Sequence, residues 1–174
     1  MNIITSNKKW DDILPQASVQ ALLKVLDHCR QKTQPTTAGR PLPLPCLLLF
    51  YGAASENKTA AAALMAAQLK REAYRIDLSA IVSKYIGETE KNIDIVFEKA
   101  EKANWILFFD EADALFGKRT GVQDGHDKYT SQETDYLLQR IEKSGNLVLV
   151  ATNNKEEIPS YILRHFHTVI HFPK

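Results

Sequence analysis

Two short stretches carry residue types that could do chemistry. Residues 106–113 read Ile-Leu-Phe-Phe-Asp-Glu-Ala-Asp, an apolar run that stops at acids. A buried strand that delivers carboxylates at its C-terminal tip is what nucleotide hydrolysis needs, because the acids must be held rigidly around a phosphate chain and its metal. Upstream, Gly52, Ala53, Ala54, Ser55, Glu56, Asn57, Lys58 and Thr59, followed by Ala60, keep the phosphate-loop spacing G-x-x-x-x-G-K-[ST], except that Asn57 stands where the second glycine belongs.

In such a loop, successive backbone N–H groups turn inward and the following helix presents its positive end. The loop therefore needs left-handed backbone more than particular side chains. Gly52 supplies that freedom at the first turn, and Asn57, the commonest non-glycine type at positive φ, is expected to hold the second with modest strain. Lys58 would reach the β and γ phosphates of a nucleotide, and Thr59 would put its hydroxyl on Mg²⁺. Asp110 would hold the metal through water, while Glu111 would polarise the attacking water. Glu56 is the worst departure, since a carboxylate about 4 Å from a phosphate oxygen costs roughly 4 kcal/mol at an effective dielectric near 20. A side chain turned to solvent removes most of that cost. Taken singly, each stretch has a plainer explanation: a chance Lys-Thr after a turn, or an Asp capping a helix after a core strand. Their order, and a third acid at Asp113, favour the chemical one.

The elements that must position these residues follow from the hydrophobic pattern. A helix is expected over 15–30, with Leu22, Leu23, Val25, Leu26 and Cys29 at helical spacing, and a stiff linker over 31–45 rich in proline. Beyond it, strands at 46–51, 74–77, 105–109, 147–151 and 168–172 alternate with helices at 58–69, 91–103 and 128–141 and a helical turn at 159–163. Most of the strands are continuous apolar runs without alternation, which marks a parallel sheet covered on both faces. Ligands of such sheets bind beyond the carboxyl edge. Two units are expected: residues 1–45, a helix and linker packed on the core, and residues 46–174, an α/β nucleotide-binding core.

Composition narrows the classes of function. The 174 residues suffice for one domain with a real core. With 22 basic and 21 acidic residues the formal net charge is +1, so no global field draws the chain to nucleic acid or an anionic membrane. No apolar stretch approaches the roughly 20 residues of a membrane helix, and a cytoplasmic location is expected. Cys29 and Cys46, the two cysteines present, lack metal-ligand spacing and are expected to be reduced core thiols.

The residues from about Trp10 to Lys174 together resemble the large subdomain of an AAA+ ATPase. The resemblance implies a P-loop sheet of five parallel strands in the order 5-1-4-3-2 between helices, with Mg²⁺-ATP as cofactor. Ser83-Lys-Tyr-Ile-Gly-Glu-Thr-Glu-Lys91 is similar to the family's first pore loop, in which Tyr85, Ile86 and Gly87 would grip a polypeptide at the centre of a ring. Val148-Leu-Val-Ala-Thr-Asn-Asn154 looks like the fourth strand, whose terminal Asn, here Asn153, helps orient the lytic water. Ile162-Leu-Arg-His-Phe166 sits where the family has two arginines before Phe. One of the two reaches a neighbour's γ-phosphate in the family; Arg164 is the one retained here, and His165 takes the place of the other. The implied partners are further copies of the chain in a ring and a protein substrate, with no nucleic acid and no membrane.

A narrower resemblance, over residues 116–142, is to bacterial AAA+ proteins encoded with phage-tail-like contractile injection systems. Where that group has Arg-Tyr-Ala-Asn, this chain has Lys128, Tyr129, Thr130 and Ser131, which keeps charge but loses a bidentate guanidinium. Ala53, Ala54, Ser55 and Glu56 replace the usual Pro-Pro-Gly-Thr, a degenerate Walker A loop. The resemblance implies a helical lid beyond the fifth strand, whereas this sequence stops at Phe172-Pro-Lys174; a chain cut from a longer one is expected, a natural fragment being the alternative. Two functions stay open: an ATP-hydrolysing module of a protein unfoldase or remodelling machine, and a non-catalytic AAA+-like scaffold or nucleotide sensor. The retained Lys58, Thr59, Asp110, Glu111 and Asn153 favour the enzyme.

Overall fold

The computed structural model describes residues 2–32, 46–81, 87–116 and 126–173. In chain order these form β1 (Asn2–Ile4), α1 (Gln16–Lys32), β2 (Cys46–Tyr51), α2 (Ser55–Leu69), β3 (Ala73–Asp77), α3 (Glu88–Ala103), β4 (Ile106–Asp110), α4 (Asp113–Phe116), α5 (His126–Ser144), β5 (Leu147–Thr152), α6 (Ser160–Leu163) and β6 (Thr168–His171). The expected linker falls mostly on residues 33–45, outside the described residues.

One mixed sheet runs β1-β3-β4-β5-β2-β6. The five parallel strands stand in the order the resemblance implied, from β6 through β2, β5 and β4 to β3. The sheet has six strands rather than five, because β1 pairs antiparallel with β3, Ile3 lying opposite Tyr74. Three residues with partly exposed side chains give too short a pattern to mark a strand, so β1 escaped detection.

Alternating strand residues feed two cores, one on each face. Leu48, Phe50, Phe108 and Leu149 meet α1 and α2, while Leu47, Leu49, Phe109 and Val150 meet the side of α3 and α5. Both faces being covered explains the unbroken apolar runs. Helix α2 lies against the sheet through Ala60, Ala61, Ala62, Met65 and Ala66, small side chains that let helix and strands approach closely. On the other face Arg140 joins α5 to α3. It donates to Glu101 at 2.8 Å and to Asp94 at 3.3 Å, and its guanidinium lies 5.0 Å over the Phe97 ring. Cys29 and Cys46 are not joined in a disulfide, and their sulfurs lie 3.5 Å apart, a proximity their spacing in sequence did not suggest.

Candidate nucleotide site

At the carboxyl edge of the sheet, β2 ends in Tyr51 and the chain turns through Gly52, whose φ is +120°. Only glycine suits this position. A Cβ there would lie 2.2 Å from the carbonyl oxygen of Phe172, where the chain leaves β6. The Phe172 N–H donates to the Tyr51 carbonyl at 2.8 Å and closes that contact.

Beyond Ala54 the structure departs from expectation. Helix α2 begins at Ser55 rather than Lys58, and Asn57 lies within it instead of in a left-handed turn. Without glycine at position 57, the right-handed helical conformation is the lower in energy, so the helix grows back over three residues. The amides of Asn57 and Lys58 both donate to the Ala54 carbonyl at 3.1 Å, and the Ser55 amide donates to Ala53 at 3.0 Å. These loop amides are therefore engaged internally. Glu56 turns outward, its side chain 92 % exposed, and lies 3.7 Å from the Lys8 ammonium. This is the solvent-facing arrangement that removes most of the electrostatic cost expected of Glu56 beside a phosphate. The same Lys8 ammonium donates to the Asn57 side-chain oxygen at 2.9 Å.

Lys58 is 1 % exposed. Its ammonium donates to the carbonyls of Gly52 at 2.8 Å and Thr152 at 2.7 Å, and to the Asn153 side-chain oxygen at 3.1 Å. All three acceptors are neutral, and among the described residues no carboxylate forms an ion pair with it. Burial lowers its pKa below the ordinary lysine value, opposed by the more distant charges of Asp110, Asp113 and Glu111. Thr59 donates its hydroxyl to the Ser55 carbonyl at 3.1 Å, which leaves oxygen lone pairs free to ligate.

Asp110 is the last residue of β4 and is 4 % exposed, so its carboxylate is set in the sheet edge rather than beyond it. One oxygen accepts from Arg75 Nε at 2.9 Å and from an Arg75 terminal nitrogen at 2.6 Å; the other accepts from the Glu111 amide at 3.0 Å. Glu111 is exposed and left-handed, with φ 56°, a conformation that costs a non-glycine residue about 1–2 kcal/mol. The turn is tied down just beyond it, where the Ala112 amide donates to the Ala151 carbonyl at 3.0 Å. Asp113 accepts from the Thr152 hydroxyl and locks the ends of β4 and β5 together.

The structure thus brings Gly52, Lys58 and Asn153 into one hydrogen-bonded group, with Asp110 at the end of the strand beside β5 and Glu111 in the turn that follows it. Ala60 is buried on the sheet-facing side of α2. Arg164 is not part of the group: it is exposed at the end of α6, shortly before Thr168 pairs with Leu48. Tyr85 and Ile86 lie outside the described residues, as do residues 117–125 of the narrower resemblance; Lys128 falls in the first turn of α5, its side chain outside the described part.

Arg75, Lys8 and Thr152 escaped the reading of the sequence. Arg75 left a signal, a lone cation in the middle of a strand between Tyr74 and Ile76. Lys8 left none, because its place depends on β1.

Mg²⁺ and ATP fit the donors in kind. Thr59 and Asp110 offer the hard oxygens Mg²⁺ takes, usually one or two per protein with water and phosphate completing the shell. The buried Lys58 ammonium, held by neutral oxygens alone, lacks an anion.

Comparison with known proteins places the chain in a family. The profile of the ATPase family associated with various cellular activities (AAA) matches residues 48–174, and the chain belongs to that family. It is 32 % identical over 166 residues to the AAA family ATPase y4kL of Sinorhizobium fredii, covering 94 % of this chain and 49 % of the relative. Peroxisomal ATPase PEX1 of Komagataella phaffii is also 32 % identical over 166 residues, covering 91 % of this chain and 14 % of that protein. Spastin of Sus scrofa is 30 % identical over 175 residues, covering 95 % of this chain and 28 % of that protein. The chain therefore spans half or less of these curated relatives. The AAA domain of FIGL-1, solved in complex with ADP, superposes with a TM-score of 0.71 at 22 % identity over 99 % of this chain and 57 % of that one, a likeness of fold. No helix among the described residues is long and apolar enough to cross a membrane.

Proposed function

We propose that this chain is the nucleotide-binding module of a ring-forming, cytoplasmic AAA+ ATPase that binds ATP with Mg²⁺ at residues 52–60, Asp110 and Asn153 and hydrolyses it to remodel a protein substrate. The observation that carries the reading is Lys58: a buried ammonium on neutral acceptors is electrostatically incomplete, and a phosphate would complete it. Bound Mg²⁺-ATP would supply the scissile phosphoanhydride bond and the charge that neutralises it. Lys58 would turn from the Thr152 carbonyl to phosphate oxygen, Thr59 and Asp110 would face the metal, and Glu111, with Asn153, would hold and polarise the attacking water. Arg164, exposed and away from its own site, would act on a neighbouring subunit, and Tyr85 with Ile86 would contact the substrate chain. The likeness of residues 116–142 supports a place alongside phage-tail-like contractile injection systems.

A second reading has its own support. The engaged loop amides and the helix started at Ser55 suit a scaffold whose degenerate Walker A loop no longer opens. Phosphate release from Mg²⁺-ATP, followed over a range of protein concentrations, separates the two. The ATPase reading expects release to rise more than in proportion to concentration, as assembly supplies Arg164 in trans, and to vanish in Glu111→Gln while ATP stays bound. Release that is absent throughout, or that Glu111→Gln leaves untouched, overturns it.

A further inference from the structure

Asp110 already holds a cation. Its side chain is 6 % exposed, yet a carboxylate shut away from water is tolerated only beside a compensating charge, and Arg75 supplies one with two N–H groups on a single oxygen. The arrangement is set by the sheet. Asp77 pairs with Asp110 and Arg75 with Phe108, which places Arg75 two residues back on the neighbouring strand and on the same face as Asp110. Its own side chain is 45 % exposed and borders a cleft of about 280 Å³ lined also by Thr5, Ser6, Lys8, Ser55, Glu56 and Thr59. Arg75 can therefore leave Asp110 without leaving the neighbourhood of Thr59.

We infer that Arg75 is a positioning residue that stands in for the metal: it neutralises Asp110 whenever Mg²⁺ is absent, and Mg²⁺ must displace it into the cleft to reach that carboxylate. This rests on the nucleotide reading given above. Two consequences follow from the charges. With Arg75 in place, Asp110 does not repel a metal-free triphosphate, so binding depends little on Mg²⁺. With Arg75 neutralised, the bare carboxylate repels the triphosphate until Mg²⁺ covers it, because like charges a few ångströms apart near a protein surface interact strongly.

The test is calorimetric titration of ATP into the wild-type chain, Arg75→Gln and Arg75→Lys, each with excess Mg²⁺ and with a chelator. The ratio of the metal-free to the Mg²⁺ dissociation constant should be within about threefold of one in the wild type and at least about tenfold in Arg75→Gln. A thermal melt without nucleotide reads the structural side: Arg75→Gln should melt lower than the wild type in chelator and recover on adding Mg²⁺. Should Arg75→Gln fail to fold, Arg75→Lys, which keeps the charge but loses the two-pronged contact, is read in its place and should show a ratio above that of the wild type. Equal ratios in wild type and variant overturn the inference while leaving the nucleotide reading intact. Absence of saturable ATP binding in every arm overturns both.

Discussion

The Lys58 ammonium donates to the Thr152 carbonyl oxygen at 2.7 Å, so the cation in the first turn of α2 is fastened to the end of β5. On the proposed nucleotide reading that contact is a resting position: an incoming phosphate would replace it, along with the bonds to Gly52 and Asn153, and the exchange would change how Lys58 titrates.

Burial holds the Lys58 pKa below 10.5. Because the folded value is depressed, the charged ammonium weakens the fold relative to the neutral amine, and stability from this group rises with pH between the lowered folded value and the ordinary lysine value. Side-chain ammonium NMR should show Lys58 losing its proton at lower pH than the exposed lysines. ATP should move that midpoint upward, since phosphate favours the charged form. A midpoint unmoved by saturating ATP would mean that Lys58 does not meet phosphate.

Gly52→Ala should destabilise the chain by about 2–4 kcal/mol, from the disallowed φ together with the clash against the Phe172 carbonyl. Chemical denaturation measures it. A loss below about 0.5 kcal/mol would show that the end of β6 yields easily to the loop.

Glu111 is held at φ 56°. Glycine accepts that backbone without strain but is freer when unfolded, so Glu111→Gly should leave stability unchanged or raise it by up to about 1 kcal/mol while removing hydrolysis. A fall of several degrees in the melting midpoint would mean that the glutamate side chain holds the turn.

Arg140→Ala removes two ion pairs and the contact over Phe97 at once. The expected loss is about 2 kcal/mol, or roughly 4–8 °C in the melting midpoint for a domain of this size. Double-mutant cycles with Asp94→Ala and Glu101→Ala should show coupling; additive effects would reduce the trio to a solvated surface cluster.

Much of this architecture was legible from residues such as Leu48 and Phe109, because strands buried on both faces must be apolar throughout and their alternation with helices admits few topologies. Asp110 was legible for the same reason, as a charge that ends such a run. The start of α2 was not, since the spacing of Gly52, Lys58 and Thr59 fits both an open loop and a helix begun early; replacement of the glycine at position 57 decided it by backbone energetics. The outward turn of Glu56 and the pairing of Arg75 with Asp110 depend on β1, Lys8 and strand register. Those contacts join residues far apart in sequence, where local patterns carry no information.

The central claim is that residues 52–60 bind nucleotide through Lys58. Isothermal calorimetry of Mg²⁺-ATP into this chain and into Lys58→Ala tests it most directly. Because the Lys58 bonds and the engaged loop amides must be exchanged for phosphate, the account predicts saturable but weak binding, with a dissociation constant above about 10 μM, near −7 kcal/mol, and its loss in Lys58→Ala. Binding of equal strength in both proteins, or no saturable binding in the wild type at millimolar ATP, would contradict it.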